Sequence, residues 1–104
     1  MRVAQEEIFG PVLSVVRAGS LEAALAVGKG SPYGNGASIF TGSGTAAHRF
    51  QREAAAGMVG INVPIPVPVA TYAVAGWKSS RFGDTGLNNA SWRFCTQPKY
   101  VTSR

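Results

Sequence analysis

The chain has 104 residues, 45% of them hydrophobic, and carries ten Lys and Arg against five Asp and Glu for a formal charge of +5. That length bounds it to a single small domain, and that hydrophobic share excludes a disordered tail. The cations are scattered from Arg2 to Arg104 without a basic run or an aromatic-interleaved stripe, which argues against nucleic acid, and no apolar run nears the roughly 20 residues that span a bilayer.

In chain order, the first feature is Glu6-Glu7-Ile8-Phe9-Gly10-Pro11-Val12. It joins an acidic pair, a lone aromatic and a turn-making Gly-Pro, and it leads into Val12-Leu13-Ser14-Val15-Val16. A carboxylate and a ring just ahead of a buried strand can present a polar ligand at a sheet end. Pro11 to Arg17 reads as that buried strand. Ser20 is placed to cap a helix from Leu21 to about Lys29, with Glu22 in its first turn and Gly30 as its stop. Pro32-Tyr33-Gly34-Asn35-Gly36 is a turn cluster, and Ala37 to Thr41 a second strand. Ser43 caps a second helix, Thr45 to about Ala56, ended by Gly57. Met58 to Val63 is a third strand.

Pro64-Ile65-Pro66-Val67-Pro68 cannot sustain a ladder and is expected as an extended loop. Gly76 to Asp84 is a second, Gly-rich loop. Arg93 to Gln97 and Lys99 to Thr102 alternate as a terminal strand. Strand–helix–strand–helix–strand order predicts an α/β fold, with parallel strands and crossover helices. Three strands are too few to cover such a sheet, so the chain reads as a piece of something larger. The lone Cys95 excludes an internal disulfide framework, and no metal site is expected. The N-terminus lacks the layout of a signal peptide, which makes a cytoplasmic setting the expectation, or a mitochondrial one in a eukaryote.

The opening E-E-I-F-G-P-V run, Pro32-Tyr33-Gly34, Gly60-Ile61-Asn62-Val63, the Gly76-to-Gly83 loop and the Thr96-to-Arg104 tail occur in this order in aldehyde dehydrogenases. Gly60 to Pro68, Phe82-Gly83-Asp84 and Val101 to Arg104 resemble in particular the CoA-acylating, methylmalonate-semialdehyde dehydrogenase branch. The resemblance covers essentially the whole chain as the C-terminal portion of a longer protein. It implies that residues 1–90 are the C-terminal part of the catalytic domain and residues 91–104 an oligomerisation strand.

The resemblance also implies roles. Glu7 would bond the nicotinamide ribose hydroxyls of NAD, and Phe9 would pack beside the nicotinamide ring. Residue type agrees, since a carboxylate only accepts and suits a diol, while a ring face suits a planar heterocycle. Asn62 and Val74 would lie near the substrate funnel, although Asn62 reads equally as a backbone-bonding residue at a strand end. Coenzyme A would be a co-substrate. The partners implied are the remainder of the dehydrogenase chain and further copies, joined through the terminal strand. The cysteine nucleophile of the family lies ahead of the E-E-I-F-G-P segment, so no catalytic residue is expected here and Cys95 is not its substitute. After Phe82-Gly83-Asp84 the chain departs from the family's Leu-His with Thr85-Gly86-Leu87.

Plainer readings stand beside these. Glu6 is structural, His48 an exposed helix residue, and Trp77 and Trp92 are packing residues. Lys78 and Arg81 have the charge to bind an anion but fit a solvated loop better. A different class of function remains open as well, a non-catalytic α/β module that self-associates or binds a partner through its tail edge.

Overall fold

Two serines, each just ahead of a helical run, start two α-helices among the described residues. In the computed structural model, which describes residues 2–69, 72, 74–82 and 95–104, α1 spans Leu21–Gly30 and α2 spans Gly44–Glu53. The Ser20 hydroxyl accepts the Ala23 N–H at 3.2 Å, and the Ser43 hydroxyl accepts that of Ala46 at 3.3 Å. Each satisfies a donor that a helix start leaves open. The second helix stops three residues short of the expected Ala56, because Ala54 turns to extended backbone with ψ 125°. Ala54 and Ala56 are thereby buried, as are Leu25 and Met58. Burial there outweighs the preference of alanine for helix.

Among the described residues the strands form two pairs. β1 (Tyr33–Gly34) and β4 (Trp77–Lys78) are antiparallel, with Tyr33 opposite Lys78 and Gly34 opposite Trp77. β2 (Gly36–Ile39) and β3 (Met58–Ile61) are parallel, from Gly36 opposite Met58 to Ile39 opposite Ile61. The parallel pair with α2 as its crossover is the α/β unit that the sequence predicts. Both of its strands end earlier than expected. Asn62 takes a left-handed φ of 58° and stops β3, and Thr41 bonds the Asn62 side chain in place of a ladder. The β1–β4 pair was not expected, since two-residue strands are too short to leave an alternating pattern.

The largest departure is at Pro11 to Arg17. Instead of a buried strand, these residues form no regular structure and are exposed, Leu13 to 87% and Val15 to 78%. Composition there favours a strand, but a strand needs a neighbour for its N–H and C=O groups, and the described residues supply none. The expected terminal strand also forms no ladder over residues 96–104, where Tyr100 and Val101 are exposed. Its first residues, Arg93 and Phe94, lie outside the described ones, as does Trp92. These outlying segments help raise the radius of gyration to 17.7 Å, against about 13 Å for a compact domain of this length.

The two strand pairs are joined through backbone. The Gly57 N–H donates to the Gly34 carbonyl at 2.9 Å and the Met58 N–H to that of Asn35 at 3.1 Å. A Cβ on Gly57 would stand 2.5 Å from the nitrogen of Gly76 and 2.6 Å from the carbonyl carbon of Ala75. Those are main-chain atoms with little freedom to move aside. Gly57→Ala is therefore expected to destabilise the fold by roughly 1–3 kcal/mol. Gly28→Ala, in α1 with nothing within 4 Å of the added carbon, should stabilise by roughly 0.5–1 kcal/mol. Urea unfolding of the two variants reads both signs.

Candidate functional site

The N-terminal segment is folded back on itself by local bonds. A 3₁₀ turn at Arg2–Ala4 is tied to the following segment by the Ser14 hydroxyl, which donates to the Val3 carbonyl at 3.1 Å. The guanidinium of Arg2 grips Glu6 at two points, 2.9 and 3.0 Å. Two tight turns follow, with the Gly10 N–H on the Ile8 carbonyl at 2.5 Å and the Val12 N–H on the Gly10 carbonyl at 2.7 Å. Each closes over one residue. The first has Phe9 at its tip, and that residue is 99% exposed.

This folded segment forms one side of a cleft of about 530 Å³, with Glu6, Glu7 and Ser14 in its lining. Ser31, Tyr33, Asn35, Ser79 and Ser80 line it as well. Glu6 is engaged by Arg2, whereas Glu7 has no ion-pair partner among the described residues. An acceptor-only carboxylate in a cleft lined with hydroxyl and amide groups suits a hydroxylated ligand. Of the residues singled out in the sequence, Glu7 therefore lines the cleft and Phe9 projects outside it.

Asn62 and Val74 lie away from the cleft lining. The Asn62 side chain is occupied with the backbone of Thr41, so of its two sequence readings the geometry matches the strand-end role. The Val74 carbonyl accepts from Arg81, which ties Arg81 to its own loop. Cys95 is exposed, and no group of three or more His, Cys, Asp or Glu able to hold a metal occurs among the described residues. No helix among them is long and apolar enough to cross a membrane.

Lys78 is the residue whose importance the sequence conceals. Its ammonium donates to the carbonyls of Gly28 at 3.2 Å, Lys29 at 3.1 Å and Ser31 at 2.8 Å. All three protons thus go to the C-terminal end of α1, where carbonyls lack helical partners and the helix dipole favours a cation. The same loop is stitched down by the Ser79 N–H on the Pro32 carbonyl at 3.1 Å. The Gly34 N–H donates to the Ser80 hydroxyl at 2.9 Å. Together these bonds seat Ser31, Tyr33, Ser79 and Ser80 beside one another. A lone lysine in a Gly-rich loop carries no sequence signal of that role. Only the spatial meeting of the loop with α1 reveals it.

On the outer surface an ionic chain links the helices. Arg49 donates to Glu22 of α1 and, at 2.8 Å, to Glu53 one turn further along α2; Lys29 stands 3.7 Å from Glu53. The carboxyl of Glu22 is pushed down to about 2, first by its own backbone N–H, then by the Ser20 hydroxyl and by Arg49. The carboxyl of Glu53 is lowered as well, chiefly by its bond from Arg49.

Comparison with known proteins identifies the setting of this cleft. The model of the aldehyde dehydrogenase family matches residues 1–101. Malonate-semialdehyde dehydrogenase of Pseudomonas aeruginosa is 50% identical over 105 residues, which cover 100% of this chain and 21% of that protein. Malonate-semialdehyde dehydrogenase 1 of Geobacillus kaustophilus is 47% identical, over 100% of this chain and 22% of that one. Among solved structures, the methylmalonate-semialdehyde dehydrogenase of Oceanimonas doudoroffii superposes with a TM-score of 0.83 at 44% identity, over 95% of this chain and 22% of its own. A proposed methylmalonate-semialdehyde dehydrogenase of Sinorhizobium meliloti, solved with NAD, gives 0.86 at 52%, over 92% and 20%. The chain thus spans about a fifth of the length of the relatives it matches.

Lys78→Met removes three charge-assisted bonds at an exposed site, so a loss of roughly 1–2 kcal/mol is expected in the urea midpoint. For Glu22, a depressed carboxyl contributes stability above the ordinary carboxylate range, near 4.5, and loses that contribution as pH falls toward 2. NMR titration should find Glu22 still ionised at about pH 3. Arg49→Met should move its midpoint upward.

Proposed function

The chain belongs to the aldehyde dehydrogenase family, and from that membership we propose that it is the C-terminal segment of an NAD-dependent, CoA-acylating dehydrogenase of malonate or methylmalonate semialdehyde. The observation that carries this reading is the polar cleft with Glu7 in its lining and its carboxylate unpaired among the described residues. Such a group fits the two hydroxyls of a ribose, each of which donates one hydrogen bond to a carboxylate oxygen. Phe9, fully presented at a turn tip, fits the role of a ring that packs against a flat partner. Support for the cofactor also comes from the NAD complex of the Sinorhizobium meliloti protein.

In this reading a cysteine thiolate elsewhere in the polypeptide adds to the aldehyde carbon. NAD, which Glu7 and Phe9 would help to hold, would supply the acceptor for the hydride that leaves this carbon. The thiol of coenzyme A would displace the enzyme cysteine as its thiolate, and the malonate-type carboxylate would leave as CO2 with a proton taken up at the carbon that carried it. The part of this chain is to bind and orient. Glu7 holds a sugar edge, Phe9 borders the ring, and the wall seated by Lys78 closes the far side of the cleft. Cys95 takes no part, being exposed in the terminal segment. The exposed residues of the 97–104 segment serve assembly with further copies, because a segment that forms no ladder within its own chain can add to the sheet of a neighbour. The setting proposed is cytoplasmic.

The test is a chimaera in which this chain replaces its matching segment in the Pseudomonas aeruginosa malonate-semialdehyde dehydrogenase. NAD-dependent oxidation of malonate semialdehyde is expected from the chimaera and none from the isolated chain. Glu7→Gln should lower kcat/KM for NAD by about ten- to a hundredfold, the size of a lost hydrogen bond to a charged group. Cys95→Ser should change nothing. An isolated chain that oxidised the aldehyde, or a chimaera indifferent to Glu7→Gln, would overturn the assignment.

A further inference from the structure

We propose that Asn62 is a positioning residue that turns the chain at the end of β3 and holds the proline-rich segment 64–68 against the parallel strand pair, without itself meeting a substrate. Its carboxamide pairs with Thr41 at two points. The Thr41 N–H donates to Asn62 Oδ1 at 2.9 Å, and Asn62 Nδ2 donates to the Thr41 carbonyl at 3.1 Å. The Asn62 N–H donates to the Ile39 carbonyl at 2.8 Å. The side chain thus supplies the next rung after the backbone ladder stops, imitating a peptide group with one donor and one acceptor.

Asn62 is also where the direction changes. At φ 58° it occupies the left-handed region that asparagine tolerates better than branched residues. The chain then doubles back. Atoms of Val63 lie 2.8 and 3.0 Å from the place of a Cβ on Gly60, and Pro66 lies 3.2 Å from that of Gly36. The returning segment stands over β3 and then over β2. Beside Val63 at the same point is Ser38 Oγ, buried and without a partner among the described residues. Covering a bare hydroxyl is unfavourable, so the segment must be held down by bonds elsewhere. The pairing with Thr41 provides them. It also reaches α2, because Thr41 Oγ1 accepts the Ser43 N–H at 3.1 Å, and Ser43 caps that helix.

The ends of parallel strands are where α/β sheets bind ligands. That segment 64–68 borders a substrate rests on the dehydrogenase reading. The pairing does not, and it is tested in this chain alone, apart from any activity. Residues 36–47 and 54–69 contain no titratable side chain. Those of α2, packed on β3, are His48, Arg49, Arg52 and Glu53, and Arg49 and Glu53 are bound to each other. A carboxyl placed at position 62 is therefore the new group titrating there between about pH 3 and 6.

The experiment is amide hydrogen exchange by NMR on the wild-type chain and two variants that keep the turn. Asn62→Gly retains the left-handed backbone but loses both bonds. It should speed exchange at Thr41 at least tenfold and shift the Ile65 and Val67 signals, while Ser79 stays protected. Asn62→Asp keeps the acceptor and loses the donor while ionised. Protonation restores a donor to the Thr41 carbonyl, so protection at Thr41, corrected for intrinsic rates, should rise as pH falls from 6 to 3. A residue that merely filled space would show no such profile. Thr41 unprotected in the wild-type chain, unchanged protection in Asn62→Gly, or a flat pH profile in Asn62→Asp would each overturn the proposal.

Discussion

Around Gly57 three stretches of backbone approach more closely than side chains allow: β1 with the residue after it, the entry to β3, and the entry to β4. Gly57 and Met58 donate to carbonyls on one side of the meeting point, and Gly76 lies against Gly57 on the other. The two strand pairs meet at it. The parallel pair is anchored to the antiparallel pair there, and the loop carrying Lys78, Ser79 and Ser80 leaves from it toward α1. Main chain carries this junction, and among the described residues the buried apolar side chains are few, Leu25, Met58 and two alanines. Hydrogen bonds contribute a large share of the specificity where a core of that size contributes little.

Local pattern made the helices and the parallel pair legible in the sequence. Ser20 and Ser43 sit where caps belong, Gly-rich turns punctuate the segments, and Ala37 and Met58 begin apolar runs of strand length. What failed depended on distant partners. Pro11 to Arg17 has the composition of a buried strand, yet its state depends on a neighbour that no local pattern encodes. The early end of α2 follows from the burial of Ala54 and Ala56, and the β1–β4 pair from a meeting of residues more than forty positions apart.

The candidate site divides along the same line. Glu7 was recognisable because a whole motif surrounds it, and it does line a polar cleft. Phe9 belongs to the same motif but stands clear of that lining. Asn62 could be read two ways from its position at a strand end, and its bonds with Thr41 fit the backbone-bonding one. Lys78 was legible only as a charge in a loop. Its three carbonyl partners are contributed by the end of α1 and its cap, Ser31, about fifty residues earlier in the chain. The family resemblance could reach residues that share a motif, whereas the clamp on the cleft wall is a product of tertiary folding.

The bare run from Val12 to Val16 has a consequence for this chain wherever the strands that would pair with it are absent. Four of its five residues are branched and apolar, it carries no charge, and it is bounded by Pro11 and Arg17. Stretches of that kind, presented in extended form, are what holdase chaperones grip and what seeds cross-β stacking when chaperones are scarce. Proline and arginine at the two ends act as gatekeepers, making the edges of the stretch poor places for a second strand to extend. The segment that leads away from Glu7 is thus also one that, in this chain by itself, lies open to such pairing.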